Sequence, residues 1–482
     1  MQQARPRSAA SAKLYLLPIV ILLAFSLPHL DQGDFRRDTG RYAAVGLQMW
    51  DSGSLLTPYL NPETPYFSKP PMAFWIHGLF LKLFGRHLAV ARIPSICAAV
   101  GVLLFSMFAV RNLATRREAI VSGLVLATTY EFVRRTREVS LDFWQLFFVM
   151  LAVWLISVSI RRDRRSPVVA SGIAIGLALL CKPLVALGVF PIFAVWLAIA
   201  GRARLIAWLG IAVAMAIVVA LPWHLYMYAT FGARFTRQYF LHEVIAHAIR
   251  PERSNSFGYY FVENLRTYWP WLLAIALAVY LRIKREPARA RDGRHPAAPK
   301  AGRLRRRSDL FSYGAIWTVV VLLALSSFSE KKPNYALPLY PMLAWIVAWG
   351  LCRLRLSPLR RWYDRGLPWL APATLLVLAA ASLAPIRVQR PPGLNWEAVL
   401  QWMATTRTDP AQLAYEDIDE KEVCYVFLKT GKWMKSVERA RVDRRDPHQP
   451  LLIVTRYGGA DLATRFDVVF STGKIHIVRE RL

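Results

Sequence analysis

Residues 14–25 read LYLLPIVILLAF, residues 315–325 read AIWTVVVLLAL and residues 373–384 read ATLLVLAAASLA. None of these runs contains a charged residue, and each approaches the roughly 20 apolar residues that cross a bilayer as a helix. Similar apolar blocks recur along the 482 residues, of which 55% are hydrophobic. The pattern predicts a membrane α-helical protein.

The apolar blocks predict eleven transmembrane helices, within a range of ten to thirteen. The first block is expected to remain in the protein, because SLPHLDQGDF follows it in place of the small-residue motif at which signal peptides are cleaved. The predicted spans are residues 14–30, 93–110, 119–133, 140–160, 166–181, 183–200, 205–228, 266–281, 310–328, 334–351 and 366–385.

Positive charge is concentrated in alternate connections between these spans. One set contains 28 Lys and Arg residues but only five acidic residues. Because cytoplasmic loops retain positive charge, this set predicts a cytoplasmic N-terminus and an outer C-terminus in the cell inner membrane. The net charge of +31 then reflects topology and contact with membrane lipids, and no nucleic-acid partner is expected. The set comprises residues 1–13, 111–118, 161–165, 201–204, 282–307 and 352–365.

The chain is expected to divide into two domains. Residues 1–385 would form a polytopic transmembrane domain, with a large outer loop at 31–92 and a basic cytoplasmic loop at 282–309. The Pro-, Ala- and Arg-rich sequence from Arg285 predicts that the cytoplasmic loop is disordered. Residues 386–482 would form a small α/β domain in the periplasm, because their composition is that of a soluble protein.

Local patterns predict the elements outside the membrane. In the outer loop, YAAVGLQMW from Tyr42 and MAFWIHGLFLKLFG from Met72 have the periodicity of juxtamembrane helices that lie along the interface. Near the C-terminus, NWEAVLQWMATT from Asn395 predicts a helix. Three strands are predicted as well, LLIVTR from Leu451, FDVVFST from Phe466 and KIHIVRE from Lys474.

The cysteines point to no bridge and no metal site. Cys97, Cys181 and Cys352 lie in or at the ends of predicted spans, and Cys424 lies in a polar region. The sequence contains no CxxC pair and no His/Cys metal spacing. Neither a disulfide nor a thiolate metal site is expected.

Several basic residues lie in connections that should face outward, although the preference of Lys and Arg for cytoplasmic loops does not explain them there. An anionic ligand at the outer surface gives a physical reason to keep cations at span ends. The alternative is pairing with lipid phosphates and with Glu131, Asp142, Glu243 and Glu252. These basic residues include Arg36, Arg37, Arg41, Lys69, Arg134, Arg135, Arg137, Lys182, Arg234, Arg237, Arg250, Arg253, Lys331 and Lys332.

Two acidic residues have unusual positions. Asp142 lies two residues into an apolar span, and Asp38 lies among arginines in the first outer loop. An ionisable residue near membrane depth predicts a functional group. For Asp142 the alternative is a structural pairing with Arg134 or Arg137.

Residues 38–85 read DTGRYAAVGLQMWDSGSLLTPYLNPETPYFSKPPMAFWIHGLFLKLFG. They resemble the outer loop of the superfamily that contains the bacterial lipid A aminoarabinose transferases and the protein O-mannosyltransferases, with its D-E-x-R-Y-A, G-x-x-L-T-P and K-P-P-x-x-x-W motifs. GLALLCKPLVAL from Gly176, LPWHLYMYATFG from Leu221 and SEKKPNYALPLYPMLAW from Ser329 are similar to later segments, so the resemblance covers most of residues 14–352. It implies a glycosyltransferase C fold with an outer cavity that binds a polyprenyl-phosphate sugar.

The resemblance also implies roles for individual residues. Asp38 matches the catalytic aspartate, Lys69 matches the lysine that meets the donor phosphate, and Tyr335 matches an aromatic residue near that phosphate. Thr39 and Ser68 stand where carboxylates are usual in the family. Their loss weakens the case for a divalent metal and for aminoarabinose as the sugar, and no cofactor is expected.

The predicted site therefore has a donor side and an acceptor side. Cations stabilise the negative charge that accumulates on a departing phosphate, and a carboxylate can orient or deprotonate an acceptor hydroxyl. The donor phosphate is expected to meet Lys69, Arg41, Tyr335, Lys332 and Arg137. The acceptor or cavity side is expected to include Asp142, His242, Glu243 and Arg250.

The predicted function is transfer of a sugar from a polyprenyl-phosphate carrier to an envelope acceptor, with inversion. The acceptor is left open between lipid A, another glycolipid or glycan, and protein. A glycan ligase or polymerase, which would use a diphosphate-linked donor, is one alternative. A membrane transporter is another, although the chain lacks the paired, interrupted spans of two matching halves.

Overall fold

The computed structural model describes residues 14–32, 37–182, 185–246, 256–269, 271–291, 309–328, 331–353, 396–416, 418–443, 451–456, 466–472 and 475–480. The predicted span at 366–385 and the predicted site residue Arg250 lie outside these residues. Most of the described residues are helical.

Seventeen α-helices occur in the described part of the chain. They are α1 (Leu16–Ser26), α2 (Arg37–Ser52), α3 (Met72–Phe84), α4 (Leu88–Leu113), α5 (Arg116–Ala127), α6 (Tyr130–Thr136), α7 (Leu141–Arg162), α8 (Ser166–Leu179), α9 (Val189–Ile199), α10 (Ala207–Thr236), α11 (Tyr259–Thr267), α12 (Trp271–Arg291), α13 (Asp309–Ser327), α14 (Tyr340–Leu351), α15 (Trp396–Thr406), α16 (Glu420–Thr430) and α17 (Val437–Asp443). Short 3₁₀ segments occur at Val185–Gly188, Ala203–Leu205, Pro333–Leu339 and Pro410–Gln412, and Arg237–Ala246 is π-helical.

Four helical segments are long and apolar enough to cross a membrane, by length and composition. They are Leu88–Leu113, Leu141–Arg162, Ala203–Leu241 and Leu310–Ser327, and each coincides with a predicted span. Shorter apolar helices occur at Leu16–Ser26, Met72–Phe84, Ser166–Leu179, Ala186–Ile199 and Trp271–Ile283. The chain is thus an integral membrane protein, and the count of eleven spans remains a prediction.

Two sequence expectations about helix limits are wrong. The span predicted at 119–133 is divided between α5 and α6, where the Thr128 and Thr129 hydroxyls each donate to a carbonyl four residues back, over 2.8 Å. Such bonds from threonine compete with the helical backbone pattern. The loop expected to be disordered from Arg285 instead continues α12 as far as Arg291.

The chain divides into two compact units. The helical unit comprises Met1–Leu30, Phe67–Ala73 and Arg92–Ala384. The mixed unit comprises Asp31–Tyr66, Phe74–Ala91 and Pro385–Leu482, so segments of the first outer loop cluster with the C-terminal region. The boundary expected at residue 385 would place the first outer loop and the C-terminal region in different domains. The structure instead groups most of that loop with the C-terminal region in one compact unit.

Aromatic side chains fill the centre of the helical unit. The buried indole of Trp196 lies 5.3 Å from the Tyr313 ring, 5.8 Å from Trp317 and 5.9 Å from Trp345, measured between centroids. The Trp345 Nε1 donates to the Ser106 hydroxyl over 2.9 Å, so its one polar atom is paired inside the core. These contacts join α9, α13 and α14 to α4.

Small residues bring two helices of this unit into close contact. A β-carbon on Gly172 of α8 would lie 2.0 Å from the Ala212 carbonyl oxygen of α10, and one on Gly176 would lie 2.6 Å from the Val219 Cβ. Glycine lets helix backbones approach closely in membrane proteins. The α8–α10 packing therefore depends on these two positions.

The mixed unit contains a small sheet. A hairpin joins β1 (Tyr59–Asn61) to β2 (Thr64–Pro65). A second sheet has five strands, which are β3 (Leu413–Glu416), β4 (Lys435–Ser436), β5 (Leu452–Thr455), β6 (Phe466–Thr472) and β7 (Ile475–Glu480). Their order in this sheet is β4-β3-β5-β7-β6. The central strand β5 pairs in parallel with β3 and antiparallel with β7. The helices predicted near Tyr42 and Met72, the helix near Asn395 and the three predicted strands are all present.

Candidate active site

Asp38 lies in the first turn of α2, where the helix dipole favours a carboxylate. The Arg41 guanidinium donates to its Oδ1 over 2.6 Å, which is the contact expected of helical residues three apart. The Lys421 Nζ lies 3.7 Å from the same oxygen. Within the described part of the chain, Oδ2 has no protein partner. One oxygen is therefore held by cations while the other is available to a ligand.

Aromatic rings hold Arg41 in place. Its guanidinium carbon lies 5.5 Å from the centroids of both the Tyr42 and Tyr66 rings, and its side chain is 22% exposed. Cation–π contacts of this kind restrict a guanidinium without neutralising it. Arg41, expected at the donor phosphate, thus directly contacts Asp38.

A second polar cluster lies in the helical unit, at the start of α7. The Asp142 Oδ1 accepts a hydrogen bond from the Lys182 ammonium, and its Oδ2 accepts one from the Asn334 Nδ2 over 3.0 Å. Both carboxylate oxygens are therefore paired. The alternative prediction for Asp142, a structural pairing with Arg134 or Arg137, is wrong. Its partners are Lys182 and Asn334, which come from the ends of other helices.

Tyr335, expected near the donor phosphate, belongs to this cluster. The Lys182 Nζ lies 5.0 Å from its ring centroid, and the Lys332 Nζ lies 6.0 Å from it. The Lys332 backbone N–H donates to the Tyr260 hydroxyl over 3.2 Å, which fixes the chain next to the ring. Two ammonium groups thus flank one aromatic side chain.

Other outward-loop cations have protein partners. Arg134 and Arg135 both pair with Glu131 and Glu138, at distances of 2.6 to 3.3 Å. The Arg137 Nη2 donates to the Phe25 carbonyl oxygen, and its buried Nε has no partner in the described residues. Pairing, the alternative to a shared anionic ligand, therefore accounts for Arg134 and Arg135, whereas Lys182 contacts both Asp142 and the Tyr335 ring.

The remaining predicted residues are dispersed. Lys69 is half-buried in the helical unit, whereas Asp38 belongs to the mixed unit. His242 and Glu243 lie in the π-helical segment Arg237–Ala246. Arg250 lies outside the described residues. Of the predicted residues, the structure brings together Asp38 with Arg41, and Asp142 with Tyr335 and Lys332.

Two contacting lysines were not assigned to the site from sequence. Lys182 was noticeable as a cation at the end of an apolar span, but nothing indicated its partner. Lys421 lies in a helix of the C-terminal region, and no local sequence pattern marks it as a site residue. Within the described residues, no group of three or more His, Cys, Asp or Glu side chains could hold a metal ion.

A cleft of about 310 Å³ lies in the mixed unit. It combines two aromatic side chains with charged and amide groups. Its lining includes Asn61, Glu63, Tyr415, Trp433, Lys435 and Arg439. The Trp433 Nε1 donates to the Gln48 amide oxygen of α2 over 2.8 Å, which links the cleft to the helix that carries Asp38.

A family model of dolichyl-phosphate-mannose-protein mannosyltransferases matches residues 68–226. Curated relatives include the undecaprenyl phosphate-alpha-4-amino-4-deoxy-L-arabinose arabinosyl transferase 2 of Pseudomonas fluorescens, 26% identical over 79% of this chain and 67% of that protein. A transferase with the same description, apart from the number, in Pseudomonas aeruginosa is 28% identical over 78% of this chain and 66% of that protein. This chain spans about two thirds of the length of these relatives.

Solved structures show the same fold. ArnT from Cupriavidus metallidurans bound to undecaprenyl phosphate has a TM-score of 0.71 and 20% identity, with 98% of each chain covered. The archaeal oligosaccharyltransferase AglB from Archaeoglobus fulgidus has a TM-score of 0.54 and 13% identity, covering 90% of this chain and 65% of that one. The family model, the relatives and the fold agree with the resemblance of the first outer loop. The chain is thus similar in sequence to the aminoarabinose transferases and to the dolichyl-phosphate-mannose-protein mannosyltransferases, and it shares the fold of ArnT.

Proposed function

We propose that this protein transfers a sugar from a polyprenyl-phosphate donor to an envelope acceptor at the outer face of the inner membrane. The relatives are transferases described by an undecaprenyl phosphate sugar, and ArnT, which shares the fold, was solved with undecaprenyl phosphate. The observation that carries the proposal is Asp38, whose Oδ1 is held by Arg41 while Oδ2 has no partner among the described residues.

The proposed reaction is a single displacement. The acceptor hydroxyl gives its proton to the Asp38 Oδ2, and the acceptor oxygen bonds to the anomeric carbon of the sugar. The bond from that carbon to the phosphate oxygen breaks, and its electron pair leaves with the polyprenyl phosphate. Attack opposite the leaving group inverts the anomeric configuration. The leaving phosphate is a weak base, so cations are more useful to it than a general acid.

The proposed donor-binding residues follow the sequence motif and the cationic clusters. Lys69 is assigned to the donor phosphate by its K-P-P motif. Lys332 and Tyr335 keep their expected donor role, and Lys182 joins them because both lysines flank the Tyr335 ring. A lysine acts on phosphate as a mobile point charge, which suits a group that must bind and release a lipid carrier. Arg41 and Arg137 complete the proposed donor set.

The acceptor side is proposed to include Asp142, His242, Glu243 and Arg250. Lipid A, another glycolipid or glycan, and a protein hydroxyl are the acceptor classes compatible with a single carboxylate base. The proposed orientation places the N-terminus in the cytoplasm and the C-terminal region in the periplasm, as the distribution of Lys and Arg predicts. No divalent metal forms part of the proposal.

Release of free undecaprenyl phosphate tests the proposal. Purified protein is incubated with undecaprenyl phosphate aminoarabinose, or with a panel of other polyprenyl-phosphate sugars, and an envelope lipid and glycan extract. A glycosyltransferase of this kind releases the monophosphate, a ligase releases a diphosphate product, and a transporter releases neither.

Matched variants then test the role of Asp38. Asp38→Asn should lower kcat by about 10²-fold or more, as expected for loss of a general base, and leave donor binding unchanged. Asp51→Asn is the control, because Asp51 lies on the same helix and pairs with Lys82 over 2.6 Å. Near-normal turnover of Asp38→Asn, or an equal loss in Asp51→Asn, would contradict the assignment.

A further inference from the structure

The C-terminal helix α16 is aligned with the helix that carries Asp38. At one end, the Lys421 Nζ lies 3.7 Å from the Asp38 Oδ1. At the other end, Trp433, just beyond α16, donates its Nε1 proton to the Gln48 amide oxygen over 2.8 Å. Gln48 lies about 15 Å along α2 from Asp38, at 1.5 Å of rise per residue. The two contacts therefore fix both the direction and the register of α16 against α2.

Further contacts hold α16 in this register. The Cys424 Sγ donates to the Leu60 carbonyl oxygen over 3.8 Å, and the Phe427 ring stacks on Trp433 at 4.0 Å. Gly431, which ends α16 with a φ of +80°, leaves room for Arg86, because a β-carbon there would lie 1.9 Å from the Arg86 Nη1. Lys421 thus projects from a firmly seated helix.

The position of Lys421 is unfavourable for the helix on its own. It lies in the first turn of α16, two residues after the N-cap residue Asp419, where the helix dipole disfavours a cation. Its side chain is 34% exposed and that of Asp38 is 49% exposed. A pair so exposed contributes little to stability. Stability is therefore a weak explanation for a cation at this position.

We propose that Lys421 is a positioning residue for Asp38, supplied by the C-terminal region. Lys421 and Arg41 approach the same carboxylate oxygen, Oδ1, and together restrict rotation of the carboxylate. This restriction directs Oδ2 to the acceptor hydroxyl. The inference rests on the proposed role of Asp38 as the base.

The test compares lysine variants of the full-length protein with undecaprenyl phosphate aminoarabinose, or with the active donor of the panel. Lys421→Met should lower kcat about 10-fold, as expected for a base that loses its orientation, while the donor affinity stays unchanged. Lys421→Arg should recover kcat to within about 3-fold, because it restores the cation. Lys429→Met is the control, since Lys429 is exposed on the same helix and lies over the Tyr425 ring at 5.7 Å.

Combining Lys421→Met with Asp38→Asn separates positioning from a structural role. If Lys421 acts through Asp38, adding Lys421→Met to Asp38→Asn should leave kcat unchanged. The same 10-fold loss in that background would overturn the inference while leaving the role of Asp38 intact. So would failure of Lys421→Arg to recover kcat. Normal turnover of Asp38→Asn alone would instead overturn the proposed function, and the positioning role with it.

Discussion

Replacing Asp142 with Asn should measure what the ion pair to Lys182 contributes to the helical unit. The Asp142 and Lys182 side chains are 19% and 13% exposed, so the pair lies between a surface pair and a buried one. Surface pairs contribute about 0 to 1 kcal/mol, whereas loss of one partner from a buried pair costs about 3 to 5 kcal/mol. We therefore expect Asp142→Asn to lower the free energy of unfolding by about 2 kcal/mol.

Thermal unfolding in one detergent measures this loss. Asp142→Asn should lower the apparent Tm by a few degrees. Asp163→Asn is the matched control, because Asp163 caps the other end of α7 and pairs with Arg204, which is 71% exposed. The control should change the free energy of unfolding by less than about 1 kcal/mol.

A second substitution shows whether an unpaired cation causes the loss. Lys182→Met in the Asp142→Asn background should recover part of the stability, because it removes a charge left without its carboxylate. Equal Tm values for Asp142→Asn and Asp163→Asn, or no recovery in the double variant, would refute the reasoning. With an active donor, Lys182→Met alone should also raise KM, whereas Asp142→Asn should not.

Three further outcomes are expected. Lys69→Ala should weaken donor binding and lower the rate, because it removes a cation from the donor phosphate. Lys69→Arg should restore the charge but not the point geometry of the ammonium group. Donor titration of the purified variants measures both effects. Gly172→Ala should destabilise the protein by about 1 to 3 kcal/mol, because its β-carbon would meet the Ala212 carbonyl oxygen at 2.0 Å. Gly210→Ala, where nothing lies within 4 Å, should lack that loss in the same melting assay. A protease site or thiol probe in residues 282–309 should react only from the cytoplasm and one at the C-terminus only from outside, and reaction of both from one side would contradict the proposed orientation.

The sequence by itself determined the features that depend on neighbouring residues. Charge-free apolar runs predict helices of membrane-spanning length, because a helix satisfies its own backbone hydrogen bonds in lipid. Short apolar segments correctly predict the strands that begin at Leu452 and Ile475. The contact between Asp38 and Arg41 is likewise local, because residues three apart on a helix are neighbours. The D-x-x-R-Y spacing of residues 38–42 is therefore enough to place Arg41 next to Asp38 once the segment is helical.

Only the tertiary structure decided which distant groups meet. Asp142 is paired with Lys182 and with Asn334, which follows it by 192 residues, although nearer arginines were available in sequence. Lys421 meets Asp38 because α16 packs on α2 in the mixed unit. Such pairs depend on how many side chains pack between distant elements, and a short sequence pattern carries no information about that packing. Local periodicity decides where helices form, and the packing between them decides which charges become partners.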